Sequence, residues 1–171
     1  VGAKKEKPKA PPMQDRDSAR LVPCLPRHQW QEHSFFFEVN GDLPSRVWQH
    51  PITNGRFGFM ATDCGIGGMW YDNAREMPIN LPAADSFAVS GSEYLWLERA
   101  GEKISLFAAN DGYPCRVEYS PGLARWEKTV DDRHIKVTAF VPENADARVL
   151  VIEGAVGMKL GWTLIPALGT D

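Results

Sequence analysis

The chain has 171 residues, 43% of them apolar and 24% charged, with a net charge of −3. That length suits one domain able to bury roughly 70% of its unfolded surface, and the composition excludes disordered and fibrous classes. Six Lys or Arg stand against three Asp or Glu in residues 1–20, which leaves 13 bases and 19 acids beyond them. Such an acidic body lacks the clustered cations that hold a phosphate backbone, so no nucleic-acid partner is expected.

No apolar run is long enough to cross a bilayer, and no charged, apolar and small-residue leader opens the chain. A soluble, cytoplasmic protein with no membrane partner is expected. The three cysteines, Cys24, Cys64 and Cys115, are widely spaced and form no CxxC pair, which argues for isolated thiols rather than a disulfide scaffold.

Residues 1–34 are read as a flexible basic, proline-rich arm or linker. Their first 20 residues combine lysines with three prolines and offer too little apolar surface to offset ordering entropy. Because the chain opens on Val1 rather than Met, a longer parent is expected. Residues 35–171 are assigned to one β-sandwich domain.

Short strand-like runs follow, at Phe35–Val39, Arg46–Gln49, Phe57–Thr62, Gly68–Tyr71, Tyr94–Glu98, Lys103–Phe107, Arg116–Tyr119, Ala124–Val130, His134–Val141, Arg148–Glu153 and Leu160–Ile165. In His134–Val141 the residues Ile135, Val137, Ala139 and Val141 share one face while Lys136 and Thr138 point the other way, the period of a half-buried strand. Between the runs stand turn formers: Asn40-Gly41-Asp42, Asn110 to Pro114, Pro121-Gly122 and Asp131-Asp132. No window shows a capped helical period. The predicted class is all-β, an antiparallel sandwich built from hairpins, whose last strand is expected to want a further partner beyond Asp171.

Nucleophile-elbow, Walker A and dinucleotide motifs are absent. Gly65-Ile66-Gly67-Gly68 precedes no helix that could hold phosphate and reads as a hairpin or bulge. Cys24, His28 and His33 match no common zinc spacing and lack a nearby fourth ligand, so no metal is assigned. His50 and His134 stand alone. Asp63, Asp72, Glu76, Asp85 and Glu93 are carboxylates from which a hydrolytic pair could be drawn, although turn and strand-end roles account for most of them.

The aromatic residues Trp48, Trp70, Tyr71, Tyr94, Trp96 and Trp126 are the kind of surface on which the C–H faces of sugars stack, and they are equally the filling of a sandwich core. Trp70 and Tyr71 are adjacent, so a strand sends them to opposite faces. Asn73, Arg75 and Glu76 lie just beyond. They read either as a capped turn with a surface Arg–Glu pair or as a polar loop held against a ligand or another domain.

The succession Asn54-Gly55-Arg56-Phe57-Gly58, Gly65 to Trp70, Asn73-Ala74-Arg75-Glu76 and Glu93-Tyr94-Leu95-Trp96-Leu97-Glu98 resembles the amino-terminal supersandwich of glycoside hydrolase family 94. Within that family the Asn-x-Arg-Glu element is most similar to the β-1,2-glucan branch. The resemblance runs from about residue 35 to 170 and continues through Arg116–Glu127, His134–Pro142 and Arg148–Glu153. Two stretches depart from it: Met77-Pro78-Ile79-Asn80 replaces the usual Leu-Thr-Pro-Trp, and Leu97-Glu98-Arg99 replaces Leu-Arg-Asp.

The resemblance implies a parent that cleaves β-glucosidic bonds with inorganic phosphate, inverting the anomeric centre. It also implies that the catalytic acid and phosphate-binding groups lie in a helical barrel following the sandwich. No catalytic residue and no cofactor is therefore assigned to this chain. Trp70, Asn73, Arg75 and Glu76 are the candidate sugar-facing residues. The expected partners are a β-linked glucan and phosphate through the parent, the C-terminal barrel, and a second copy in a homo-oligomer. A stand-alone carbohydrate-binding or structural sandwich is the alternative.

Overall fold

Runs that alternate apolar with polar residues can bury one face each, and pairing them into sheets whose apolar faces meet is how such a chain makes a core. The computed structural model describes residues 28–40, 43–44, 47–80 and 93–167. Its strands, in chain order, are β1 (His28–Gln31), β2 (Ser34–Val39), β3 (Gln49–Thr53), β4 (Phe57–Thr62), β5 (Gly65–Tyr71) and β6 (Glu93–Arg99). They continue as β7 (Glu102–Ser105), β8 (Cys115–Ser120), β9 (Leu123–Val130), β10 (Arg133–Phe140), β11 (Val149–Glu153) and β12 (Lys159–Leu164). No helix occurs among the described residues.

A six-stranded sheet in the order β1-β2-β8-β9-β10-β11 packs against two three-stranded sheets, β3-β4-β5 and β12-β6-β7. Every pairing is antiparallel. The fold is thus the all-β sandwich expected. Register places Phe37, Val117, Trp126, Val137 and Ile152 in one row across the large sheet. The first four are buried and share a core cluster with Phe59, Ile66 and Leu97 from the small sheets and with Phe107 just after β7.

Trp126 joins the layers. Its ring meets Phe107 edge-on at 4.9 Å, and its indole Nε1 donates to the carbonyls of Thr62 at 3.0 Å and Asp63 at 3.1 Å. A buried indole without such acceptors would carry an orphan donor. Tyr119 acts similarly, donating its hydroxyl to the Trp48 carbonyl at 2.9 Å.

Turn chemistry follows the sequence where it is explicit. Asp131 and Asp132 both take positive φ between β9 and β10, the two-residue hairpin geometry whose twist matches the flanking strands. Ala100 and Gly101 do the same between β6 and β7.

Three elements differ from expectation. β1 pairs with β2 although it precedes the boundary placed at residue 35. β3 runs over Gln49–Thr53 rather than Arg46–Gln49, and it accepts Pro51 because it is an edge strand, where a missing N–H costs no ladder bond; Arg46 lies outside the described residues. β5 begins at Gly65 rather than Gly68, so the turn is Asp63-Cys64, and the expected bulge falls inside the strand pair, where the register with β4 slips opposite Gly67 and Gly68.

Candidate functional site

The candidate residues leave the end of β5 together. Trp70 is half-buried on the face of β5 opposite Met69 and Tyr71, and it lies over Gly58, its partner across the strand pair. A Cβ at Gly58 would occupy the place of the indole, so glycine is required there by close approach. Tyr71 packs against the core cluster, which resolves the adjacent aromatic pair into one outward and one inward ring.

Beyond Tyr71 the chain turns through Asp72 at positive φ. The loop then closes on itself. Asn73 N donates to Tyr71 O at 2.6 Å, Met77 N to Asn73 O at 2.8 Å, and Tyr71 N to Met77 O at 3.1 Å. The Asn73 side-chain oxygen accepts from Arg75 N at 2.8 Å, the local turn that short polar side chains favour. Residues 77–80 return beside β5, with Ile79 N donating to Met69 O at 2.8 Å and Met69 N to the buried Asn80 Oδ1.

Arg75 and Glu76 are exposed and form no ion pair among the described residues. The surface Arg–Glu pair of the simpler reading is not made. Asn73 therefore shapes the loop through its oxygen, while the guanidinium and carboxylate of its neighbours are exposed and uncommitted among the described residues.

The cluster has a flank that the sequence did not single out. Arg56, in the β3–β4 turn, donates from Nη2 to the Tyr71 hydroxyl, lies 5.3 Å from that ring's centroid and pairs with Asp146 at 3.2 Å. The hydrogen bond to Tyr71 first, and then the Asp146 charge, raise the Arg56 pKa further. Asn54 anchors the turn. Its Oδ1 accepts from Arg56 N and Phe57 N at 3.0 and 2.9 Å, and its Nδ2 donates to the carbonyls of Pro142 and Ala145, each at 3.1 Å. The Asn-Gly-Arg triplet was the only signal available for this flank, because Asp146 and its loop are distant in sequence.

The other carboxylates have other duties. Asp63 is buried; its Oδ1 accepts from Trp48 N at 3.3 Å, and burial pushes its pKa up to about 6. Glu93 is buried in a bidentate pair with Arg148, its Oε2 taking Nη1 at 2.7 Å, and its Oε1 also accepts Trp162 Nε1 at 2.7 Å. Neither presents a free carboxylate to a substrate, which removes both from any acid–base pair. Asp72 and Glu76 are exposed, and Asp85 lies outside the described residues, as does Cys24.

The Cys64 and Cys115 thiols and the His50 ring lie in the packed interior or against it. Cys64 and Cys115 are buried and unbridged, and burial raises the Cys115 pKa to about 12, so that thiol stays protonated and inert. His50 bonds through Nε2 to the Ser120 carbonyl oxygen at 2.8 Å and stacks on Tyr119 at 5.2 Å. His134 is exposed.

The arrangement brings together groups suited to recognition. An outward indole, a guanidinium and a carboxylate on a closed loop offer stacking and hydrogen bonds to a polyol or to a facing protein surface. A search of curated proteins finds no match for the chain. Residues 36–153 match the family described as glycosyl hydrolase 94, supersandwich domain.

Proposed function

The chain belongs to the glycosyl hydrolase 94 supersandwich family, and from that premise we propose that it is the non-catalytic amino-terminal sandwich of an inverting β-glucan phosphorylase. Such a parent transfers a glucosyl unit between a β-linked glucan and phosphate, giving α-glucose 1-phosphate in the degradative direction. The general acid and the phosphate-binding groups belong to a C-terminal helical barrel. The sandwich supports that barrel, takes part in homodimer contacts and lends the Asn73–Glu76 loop to the sugar site.

The observation that carries the reading is the conjunction of family membership with a loop whose Arg75 and Glu76 are outward and unpaired among the described residues. A structural turn does not require a guanidinium and a carboxylate that avoid each other. The β-1,2 branch is the preferred specificity because of the Asn-x-Arg-Glu element itself. Exposed Leu160 and Trp162 of the edge strand β12, with Ile165 just after it, support a role in contacts with another body. The acidic body and three widely spaced cysteines with no CxxC pair support a cytoplasmic setting.

Arg75→Ala in the full-length parent is the test. Phosphorolysis is expected to fall by roughly tenfold or more, the loss of one charge-assisted contact, with the melting temperature unchanged. An unaltered rate would confine Arg75 to the surface of the fold.

A further inference from the structure

The ladder between β4 and β5 ends at the pair Phe57 and Tyr71, extended one step by Asp72 N donating to Arg56 O. There the pairing with β4 stops, and the Asn73–Glu76 loop sets out from Asp72 at positive φ. Arg56 therefore stands at the base of the loop, with both its backbone and its side chain engaged. Its Nη2 donates to the Tyr71 hydroxyl, its guanidinium carbon lies 5.3 Å from the Tyr71 ring centroid, and the same Nη2 is 3.2 Å from Asp146 Oδ2.

A third segment is tied in. Asp146 belongs to the stretch between β10 and β11, and Asn54 reaches the same stretch through Nδ2, donating to the carbonyls of Pro142 and Ala145. The β3–β4 turn is thus a bracket between two loops that are distant in sequence. Tyr71 packs its ring against the core cluster while Arg56 binds its hydroxyl. The guanidinium acts on the loop through that phenol, because Tyr71 is the last residue of β5 and directly precedes Asp72.

Stability alone does not call for this arrangement. An exposed ion pair such as Arg56 with Asp146 contributes little to folding, and Asn54 Oδ1 already closes the turn by accepting from Arg56 N and Phe57 N. The guanidinium nevertheless engages a hydroxyl, a ring and a carboxylate at once, all at the mouth of the loop. We infer that Arg56 is a positioning residue: through Tyr71, and braced by Asp146, it sets how the Asn73–Glu76 loop leaves β5. That this loop meets a β-linked glucan through Arg75 rests on the function proposed above; the tether itself does not.

The first measurement is amide hydrogen exchange on the 171-residue chain. Arg56→Met and Tyr71→Phe should each speed exchange at the Asn73, Arg75 and Met77 amides about fivefold, the loss of one tether, with the β10 amides unchanged. Arg56→Lys should keep most of the protection, and Lys136→Met, which removes the surface pair with Glu153, should leave the loop as it was. In the full-length parent, Arg56→Met should raise KM for the glucan about fivefold and alter kcat by less than about twofold, and it should add nothing to Arg75→Ala. Loop exchange indifferent to both Arg56→Met and Tyr71→Phe would overturn the inference. So would an unchanged KM in Arg56→Met where Arg75→Ala does slow phosphorolysis. If Arg75→Ala leaves the rate unaltered, the proposed function falls and the exchange data alone decide the tether: faster exchange upholds it, equal exchange refutes it.

Discussion

Asp63 shows how much one side chain can be asked to organise. Its N–H donates to Trp48 O at 3.2 Å, its Oδ1 accepts from Trp48 N, and its carbonyl accepts from Ala108 N at 3.1 Å and from the Trp126 indole at 3.1 Å. The residue before β3, the segment after β7 and β9 of the large sheet therefore converge on one turn. Burial is the largest influence on its carboxyl, and it outweighs the hydrogen bonds from nearby backbone amides that favour the charge.

Because the folded pKa of Asp63 is raised from 3.8 to about 6, the native state prefers the protonated form. The stability from this group is fully present below pH 3.8 and is lost as pH rises through about 6. The difference corresponds to about 3 kcal/mol. Urea unfolding at a series of pH values from 4 to 7 should show Asp63→Asn losing that part of the slope and gaining on the wild type near neutrality. Parallel pH profiles for the two proteins would contradict the assignment.

At the scale of elements, what could be read from sequence was what local chemistry decides. Phe57–Thr62 was read with the bounds that β4 has, because its apolar run ends at turn residues. The alternation in His134–Val141 reappears in β10 as buried Ile135, Val137 and Ala139. Gly65 to Gly68 reads as a hairpin or bulge, and the register between β4 and β5 slips there, Phe59 pairing with Met69 and Ala61 with Ile66, while Gly67 makes room for Met60 across the strand pair. β3 was displaced because a proline argues against a strand until the strand is known to be an edge.

The Glu93–Arg148–Trp162 cluster was out of reach of any local pattern. It ties the start of β6 to the residue before β11 and to β12, with Arg148 5.5 Å from the Phe59 ring centroid and its buried Nε without a hydrogen-bond partner among the described residues. Removing one member strands a buried charge. Arg148→Met should destabilise the chain by about 3–5 kcal/mol, whereas Glu93→Leu combined with Arg148→Met should recover much of that loss. Thermal or denaturant unfolding of the single and double variants distinguishes this from an additive result, which would show that the two residues contribute independently.

For the whole molecule, all-β class and sandwich architecture were legible because both follow from period and turn spacing. The site was legible only in part. Trp70, Asn73, Arg75 and Glu76 fall within one stretch and emerge from β5 together, yet their flank, with Arg56 bound to Tyr71 and Asp146, depends on a loop that only folding brings near. The carboxylates were ambiguous for the same reason. Burial, not identity, separates Asp63 and Glu93 from Asp72 and Glu76.

In the proposed function this sandwich serves a phosphorylase while the chemistry lies in another domain. The most direct measurement is phosphate release from α-glucose 1-phosphate with β-linked gluco-oligosaccharide acceptors, run on the full-length parent and on the isolated sandwich. The parent should release phosphate only when an acceptor is present, and the sandwich alone should release none. Acceptor-dependent turnover by the sandwich alone, or a parent that hydrolyses glucan with no requirement for phosphate, would contradict it.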